Sequence, residues 1–158
     1  MAQTNIFSNA SNDGGSSAAV SPEAKLQPQP TDLAGRRVLV LEDDPVQQQL
    51  LAQYLRALGL QVVAATTIAE AKQRLSESVV QLAILDVQLP DGSGFELCEQ
   101  LDSDPNYAGL PMIVLSSLSG AEVVRQTRAA GGVYYLAKPY DPNVLVALIE
   151  NVFGERFR

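Results

Sequence analysis

Apolar and polar positions follow a regular rhythm from about residue 36 to the end of the chain. Val38–Leu41 is a continuous and partly β-branched run, which is typical of a strand buried on both faces. After Pro45, apolar residues recur at helical spacing until Gly59 ends the pattern. Similar pairs of segments follow to the C-terminus, so the pattern predicts five strands that alternate with five helices.

The five predicted strands are short and mostly apolar. They are Val38–Leu41, Gln61–Ala65, Leu82–Leu85, Pro111–Leu115 and Val133–Ala137. The predicted helices begin at capping residues or prolines. Their starts are Pro45, Thr67 with Glu70, Ser93 with Glu96, Ser119, and Asp141 with Pro142. Strict alternation predicts an α/β fold, with parallel strands joined by right-handed crossovers and helices on both faces of the sheet.

The first 35 residues differ in composition from the rest. They are rich in Ser, Asn, Gln, Gly and Pro and show no hydrophobic period. Such a segment buries too little apolar surface to offset its ordering entropy. We therefore expect a disordered tail or linker over residues 1–35, with a docking or tethering segment as the alternative, and one folded domain over residues 36–158.

Composition narrows the possible chemistry. The 158 residues include one cysteine and no histidine, which excludes Ser-His and Cys-His catalytic pairs and His-ligated zinc within these residues. A single cysteine, Cys98, excludes an internal disulfide and a multi-cysteine metal cluster. Any reaction must therefore use carboxylates, hydroxyls, lysine or arginine.

Charge and hydropathy argue against two classes of partner. A net charge of −7 is unfavourable for binding the phosphate backbone of a nucleic acid. Apolar runs stay well below the roughly 18 residues that a membrane span needs, and the N-terminus has no secretory-signal pattern. We expect a cytoplasmic protein that binds neither nucleic acid nor membrane.

Polar groups follow most of the predicted strands. The first strand is followed by Glu42, Asp43 and Asp44, the third by Asp86, the fourth by Ser116 and Ser117, and the fifth by Lys138 and Pro139. Because parallel strands end at the same edge, these groups are expected to converge there. Clustered carboxylates need positive charge, which Mg²⁺ and a lysine supply. A carboxylate such as Asp86 can then act as a nucleophile and carry a phosphoryl group.

Four segments of the chain resemble the receiver domain of two-component response regulators. They are Val38–Pro45, Ile84–Gly94, Pro111–Ser116 and Tyr135–Pro139. The resemblance extends from about Arg36 to the C-terminus, and each motif stands at the end of its own strand. It implies a doubly wound, flavodoxin-like sheet of five parallel strands in the order 2-1-3-4-5.

The resemblance also implies roles for individual residues. Asp86 matches the phosphoacceptor, Lys138 the lysine that pairs with the phosphoryl group, Ser116 the hydroxyl that moves toward it, and Tyr135 the aromatic switch. The Mg²⁺ ligands would be Asp43 and Asp86 directly, Glu42 usually through water, and the backbone carbonyl of Gln88. The Lys138-Pro139 bond would be cis.

Some positions depart from the family pattern or have a simpler interpretation. Glu42 stands where aspartate is commoner, and Ser116 stands where threonine is commoner. Both substitutions keep the required group. Asp44 is interpreted as a solvated turn residue, Tyr134 as a packing residue on the opposite face from Tyr135, and Cys98 as inert core.

The predicted function is a phosphorylation-dependent switch. A sensor histidine kinase or histidine phosphotransfer protein would donate the phosphoryl group to Asp86, with Mg²⁺ bound. A downstream protein would then bind the face formed by the fourth helix, the fifth strand and the fifth helix. Self-hydrolysis would be slow, so the protein would not be a turnover enzyme.

Three alternatives stay open beside this prediction. The first is a phosphorylation-independent scaffold with the same fold. The second is an aspartyl-phosphate phosphatase, which is disfavoured because Gln88 stands where that class has its second acid. The third is a fragment of a larger regulator. Only about one helix follows Lys138, so a stand-alone receiver of the chemotaxis or phosphorelay kind is expected.

Overall fold

A computed structural model describes residues 32–156, and a five-stranded parallel sheet forms its centre. The strands of the described chain are β1 (Arg37–Leu41), β2 (Gln61–Ala65), β3 (Leu82–Asp86), β4 (Gln88–Leu89), β5 (Gly92–Ser93), β6 (Met112–Ser116) and β7 (Tyr134–Ala137). The large sheet has the order β2-β1-β3-β6-β7, and every neighbouring pair is parallel. Counting only its own strands, this is the predicted order 2-1-3-4-5, which is confirmed.

The two remaining strands, β4 and β5, form a small antiparallel hairpin that directly follows β3. Gln88 is paired with Ser93, and Leu89 with Gly92. The predicted turn is present between them at Pro90 and Asp91. The hairpin keeps the chain close to the carboxyl end of β3 before the next helix begins.

Within residues 32–156, four α-helices connect the strands of the large sheet and a fifth follows its last strand, as predicted. They are α1 (Pro45–Ala57), α2 (Ile68–Glu77), α3 (Gly94–Ser103), α4 (Ala121–Ala129) and α5 (Pro142–Arg156), and a 3₁₀ turn spans Pro105–Tyr107. Four of them begin at, or directly after, the predicted capping residue or proline. The N-cap of α4 is Gly120, at a φ of +108°, so this helix begins two residues after Ser119.

Alternate residues of the central strands face opposite layers of helices. In β1, Val38 and Val40 pack in the layer of α1 and α5, while Leu39 and Leu41 pack in the layer of α2 and α3. Each fully buried aliphatic side chain contributes roughly 1.5–3 kcal/mol. The continuous apolar strands are therefore explained by helices on both faces, as in a doubly wound fold.

The start of the described chain belongs to this core. Leu33 is buried with the α1 and α5 layer, so folded structure begins a few residues before the composition change at Arg36. The disordered tail predicted for residues 1–35 otherwise lies outside the described residues. Within residues 32–156, no helix combines the length and the apolar character needed to cross a bilayer.

The N-terminus of α2 is capped by residues from two parts of the chain. The Thr67 hydroxyl accepts a hydrogen bond from the Glu70 backbone N–H at 3.0 Å, as the capping-box pattern predicts. The Asp91 carboxylate, 23 residues further on, accepts hydrogen bonds from Ile68 N at 2.9 Å and Ala69 N at 3.0 Å. These bonds lower the pKa of Asp91, and they join the β4–β5 hairpin to α2.

Candidate functional site

The carboxyl ends of β1, β3, β6 and β7 bring the predicted site residues to one edge of the sheet. Glu42, Asp86 and Ser116 are buried, with exposed fractions of 4%, 6% and 0%, whereas Asp43 is exposed. One carboxylate oxygen from each of Glu42, Asp43 and Asp86 lies within 4.8 Å of the others. An open pocket meets this cluster, and Gln88, Ser117, Lys138 and Tyr140 are among its other lining residues.

Lys138 places its ammonium group between two of the buried carboxylates. Lys138 Nζ donates to Glu42 Oε2 at 2.6 Å, to Asp86 Oδ2 at 3.1 Å and to Gln47 Oε1 at 3.3 Å. A lysine ammonium has three protons, so these three acceptors match its donors in number. The longer side chain of Glu42, compared with aspartate, makes the shortest of the three contacts.

Burial and charge act in opposite directions on this pair. Burial raises the pKa of Glu42, and the neighbouring Asp86 charge adds to that effect, while the hydrogen bond from Lys138 opposes it. Burial alone would lower the pKa of Lys138, but the hydrogen bond to Glu42 and the charges of Asp86 and Glu42 raise it overall. Lys138 is therefore held in its cationic form beside the two carboxylates.

Asp86 is fixed at the end of β3 by its own loop. Its Oδ1 accepts a hydrogen bond from Val87 N at 2.8 Å, and Gly94 at the start of α3 lies against its backbone. A Cβ added at Gly94 would stand 2.0 Å from the Asp86 carbonyl oxygen. The glycine thus allows α3 to begin directly against the backbone of Asp86. The Gln88 side chain, in the same loop, accepts from Ser117 Oγ at 3.3 Å.

Ser116 and Tyr135 contact the same residue of the loop between β6 and α4. Ser116 Oγ accepts a hydrogen bond from Leu118 N at 3.0 Å, and the Tyr135 hydroxyl donates to the Leu118 carbonyl. Burial raises the pKa of Tyr135. The strand register places Tyr135 opposite Val114 and directs it to the α2 and α3 layer, while Tyr134 packs in the other layer as predicted.

The divalent cation implied by the resemblance fits the donor set. Glu42, Asp43 and Asp86 offer carboxylate oxygens, which Mg²⁺ prefers, and the open pocket leaves room for its waters. Two of the carboxylates are also buried, so one lysine supplies only part of the positive charge that three carboxylates require.

Four residues for which no role in the site was predicted also support it. They are Asp44, Gln47, Asp91 and Gly94. Asp44 is not merely a solvated turn residue, because it caps α1 by accepting from Val46 N and Gln47 N. The Asp-Pro pair that starts α1 matches the one that starts α5, so this signal was present in the sequence. Gln47, Asp91 and Gly94 had no assigned role, because their contacts are made with distant segments or with backbone.

Cys98 follows its simpler interpretation, and the α4 residue Arg125 is part of an exposed face. Cys98 is fully buried, and burial raises the pKa of its thiol to about 12, so it is a core residue. Arg125 forms an exposed ion pair with Glu122. The Lys138-Pro139 peptide bond is cis, as the resemblance implied.

Comparison with known proteins agrees with this geometry. Residues 38–150 match the family model described as the response regulator receiver domain. The transcriptional regulatory protein GltR of Pseudomonas aeruginosa is 38% identical over 116 residues, which is 73% of this chain and 48% of GltR. An uncharacterized 14.6 kDa protein of Leptolyngbya boryana is 33% identical over 118 residues, 75% of this chain and 90% of that protein.

Solved structures give the same result for the fold. A CheY-like response regulator receiver domain protein from Methanospirillum hungatei superposes with a TM-score of 0.72 at 27% identity, covering 77% of this chain and 96% of that one. This chain spans about half the length of GltR. It spans less than half the length of the next two curated relatives that it matches.

Proposed function

The chain belongs to the response regulator receiver domain family, and from this premise we propose that it is a phosphorylation-dependent switch with Asp86 as the phosphoacceptor. The observation that carries the proposal is the position of Asp86. Its carboxylate lines the pocket, 3.1 Å from Lys138 Nζ and within 4.8 Å of the Glu42 and Asp43 oxygens.

The reaction is a transfer of one phosphoryl group. A carboxylate oxygen of Asp86 attacks the phosphorus of a phosphohistidine, an oxygen–phosphorus bond forms, the nitrogen–phosphorus bond breaks, and the imidazole leaves. The chain has no histidine, so the donor group must come from outside these residues. A sensor histidine kinase or a histidine phosphotransfer protein has the required chemistry.

The residues of the site would stabilise the charge that this transfer creates. Glu42, Asp43, Asp86 and the backbone carbonyl of Gln88 would hold Mg²⁺, which supplies positive charge beside the phosphoryl oxygens. Lys138, already placed 3.1 Å from Asp86, would pair with the same oxygens. After transfer, an aspartyl phosphate and slow self-hydrolysis are expected rather than catalytic turnover.

The output would follow from the contacts at Leu118. The new charge of about −2 would draw the Ser116 hydroxyl toward the phosphoryl group and away from Leu118 N. Tyr135 would then lose its partner at the Leu118 carbonyl, because both contacts depend on the position of the same loop. This is a local charge event acting on a two-state element.

The segment after this loop is weakly held, which favours such a response. Gly120 provides no side-chain cap for α4, and the first hydrogen bond of the helix, Val124 N to Gly120 O, is 3.5 Å long. Leu118 is 40% exposed and Val124 37% exposed. We propose that the face of α4, β7 and α5 binds the downstream protein after this segment rearranges.

Intact mass spectrometry with acetyl phosphate and Mg²⁺ tests the phosphoacceptor. The parent should gain one phosphoryl group, and Asp86→Asn should gain none. Asp104→Asn is the matched control, because Asp104 instead accepts from Asn106 N in the 3₁₀ turn, and it should behave like the parent. Unchanged masses for all three proteins would contradict the proposal and favour the phosphorylation-independent scaffold.

A binding experiment tests the output face. Beryllium fluoride with Mg²⁺ mimics the phosphoryl group, and a pull-down with and without it should recover a partner only in the mimic-bound state. Val124→Asp, on the exposed side of α4, should abolish that recovery while leaving the mass increase intact. Equal recovery in both states would contradict a phosphorylation-dependent output.

A further inference from the structure

Gln47 lies outside the motif segments, but its side chain contacts the site. It lies in the first turn of α1 and is exposed. Its Oε1 accepts a hydrogen bond from the Lys138 ammonium at 3.3 Å, in addition to the two bonds that Lys138 makes to Glu42 and Asp86. Among these three acceptors, Gln47 is the only uncharged one.

The amide of Gln47 is oriented by a second contact. Its Nε2 donates to Asp44 Oδ2 at 3.4 Å, and Asp44 is itself fixed as the N-cap of α1 by Val46 N and Gln47 N. Rotating the amide by half a turn would place its NH₂ group against the ammonium and its oxygen against the carboxylate. Both contacts therefore select the same orientation, with the oxygen toward Lys138.

We propose that Gln47 is a positioning residue that holds the Lys138 ammonium at Asp86 during phosphoryl transfer. This inference depends on the proposed function, since it concerns the same site. A lysine side chain has many rotamers, and each acceptor reduces the number it can occupy. Glu42 and Asp86 both have other charged partners once a cation and a phosphoryl group arrive, whereas the neutral Gln47 oxygen competes for neither.

The neighbouring glutamines provide a natural comparison. Gln48 Nε2 donates to the Glu42 carbonyl at 3.1 Å and to the Ala65 carbonyl at 2.7 Å, so it joins the ends of β1 and β2. Gln49 is exposed. Gln49→Ala makes the same chemical change two residues away on the same helix and serves as the matched control for Gln47→Ala.

The test is the initial rate of phosphoryl transfer from acetyl phosphate at saturating Mg²⁺, followed by intact mass. Gln47→Ala should slow the reaction about threefold, the effect of losing one modest hydrogen bond in the transition state, with an unchanged melting temperature. Gln49→Ala should react at the parent rate. Equal rates for the parent and Gln47→Ala would overturn this inference and leave the proposed function intact.

A double-mutant cycle separates positioning from a general structural effect. If Gln47 acts through Lys138, adding Gln47→Ala to Lys138→Ala should cause no further loss of rate, followed over hours if necessary. A threefold loss in both backgrounds would overturn the inference, because the effect would not depend on the lysine. Failure of the parent itself to react would overturn both the inference and the proposed function.

Discussion

The two ends of the same parallel sheet carry very different side chains. At the carboxyl ends, two buried carboxylates, one buried hydroxyl and Lys138 converge. At the amino end of β1, the Arg37 guanidinium donates instead to neutral groups, the Gln61 side-chain oxygen and the Val79 carbonyl. Both Lys138 and Arg37 are cations that donate hydrogen bonds at an end of the sheet, but of these two only Lys138 is held by charged acceptors.

A groove near the amino ends shows that shape alone does not define the site. Its lining residues include Leu75, Val80, Tyr107, Leu110, Pro111 and Phe153, together with a single charged residue, Arg36. The pocket at the carboxyl ends is open, and its lining includes four carboxylates and a lysine. The difference indicates that convergent charge, rather than the presence of a cavity, marks the reactive end of this fold.

Replacing Lys138 or Arg37 with alanine should give the largest difference in rate between the two ends of the sheet. Lys138→Ala should slow phosphoryl transfer from acetyl phosphate on the order of 10²-fold, because it removes a positive charge from a partly buried transition state. Arg37→Ala, at the opposite end, should leave the rate unchanged. Initial rates by intact mass provide the measurement, and similar losses in both variants would contradict the assignment of the reactive end.

The backbone support beneath Asp86 should produce the next largest effect. Gly94→Ala places a methyl group against the Asp86 carbonyl, and overpacking of this kind should lower the free energy of unfolding by about 1–3 kcal/mol. Gly154→Ala is the control within α5, because an added Cβ there meets nothing within 4 Å. It should raise stability by up to about 1 kcal/mol.

Urea unfolding measures both glycine variants. A Gly94→Ala protein as stable as the parent would show that α3 moves away from β3 at no cost. In that case the close approach of the helix to the Asp86 backbone would not be a requirement of the fold.

Asp91 tests whether every carboxylate at the carboxyl end belongs to the reactive cluster. Hydrogen bonds from Ile68 N and Ala69 N lower its pKa, so its contribution is present above the unfolded value, near 3.8. That contribution is lost as the pH falls through the lower folded value. Asp91→Asn should therefore be less stable than the parent near neutral pH, and the difference should shrink in acid.

Urea midpoints between about pH 6 and about pH 3 measure this difference, which we expect to be the smallest of the three effects. The rate of phosphoryl transfer should stay near that of the parent. A large loss of rate in Asp91→Asn would instead place this carboxylate within the reactive cluster.

Much of the fold could be predicted from the sequence. Continuous apolar segments and amphipathic helical patterns predicted that strands and helices alternate. The polar groups that follow the strands predicted which residues would lie at the same edge of the sheet. Glu42, Asp86 and Lys138 contact one another, and Ser116 ends the neighbouring strand, as expected because parallel strands end at one edge. The antiparallel β4–β5 hairpin was predicted only as a turn, since two-residue strands leave no periodic signal.

Helix capping shows which contacts a local sequence pattern can predict and which it cannot. Both Asp-Pro pairs predict a helix start, at Pro45 and at Pro142, and Asp141 is also predicted as an N-cap. The N-cap role of Asp44 was not predicted, although the Asp-Pro signal is local. Asp91 is a different case, because it caps a helix that begins 23 residues earlier. No local pattern connects the two.

The three consecutive glutamines in α1 separate the two kinds of information most clearly. The sequence determined that they lie on a helix that starts at the site, and gave them identical chemistry. Only the tertiary structure decided that Gln47 meets Lys138, that Gln48 meets the ends of β1 and β2, and that Gln49 faces solvent. Successive residues of a helix point about 100° apart, so their partners are set by what packs around the helix.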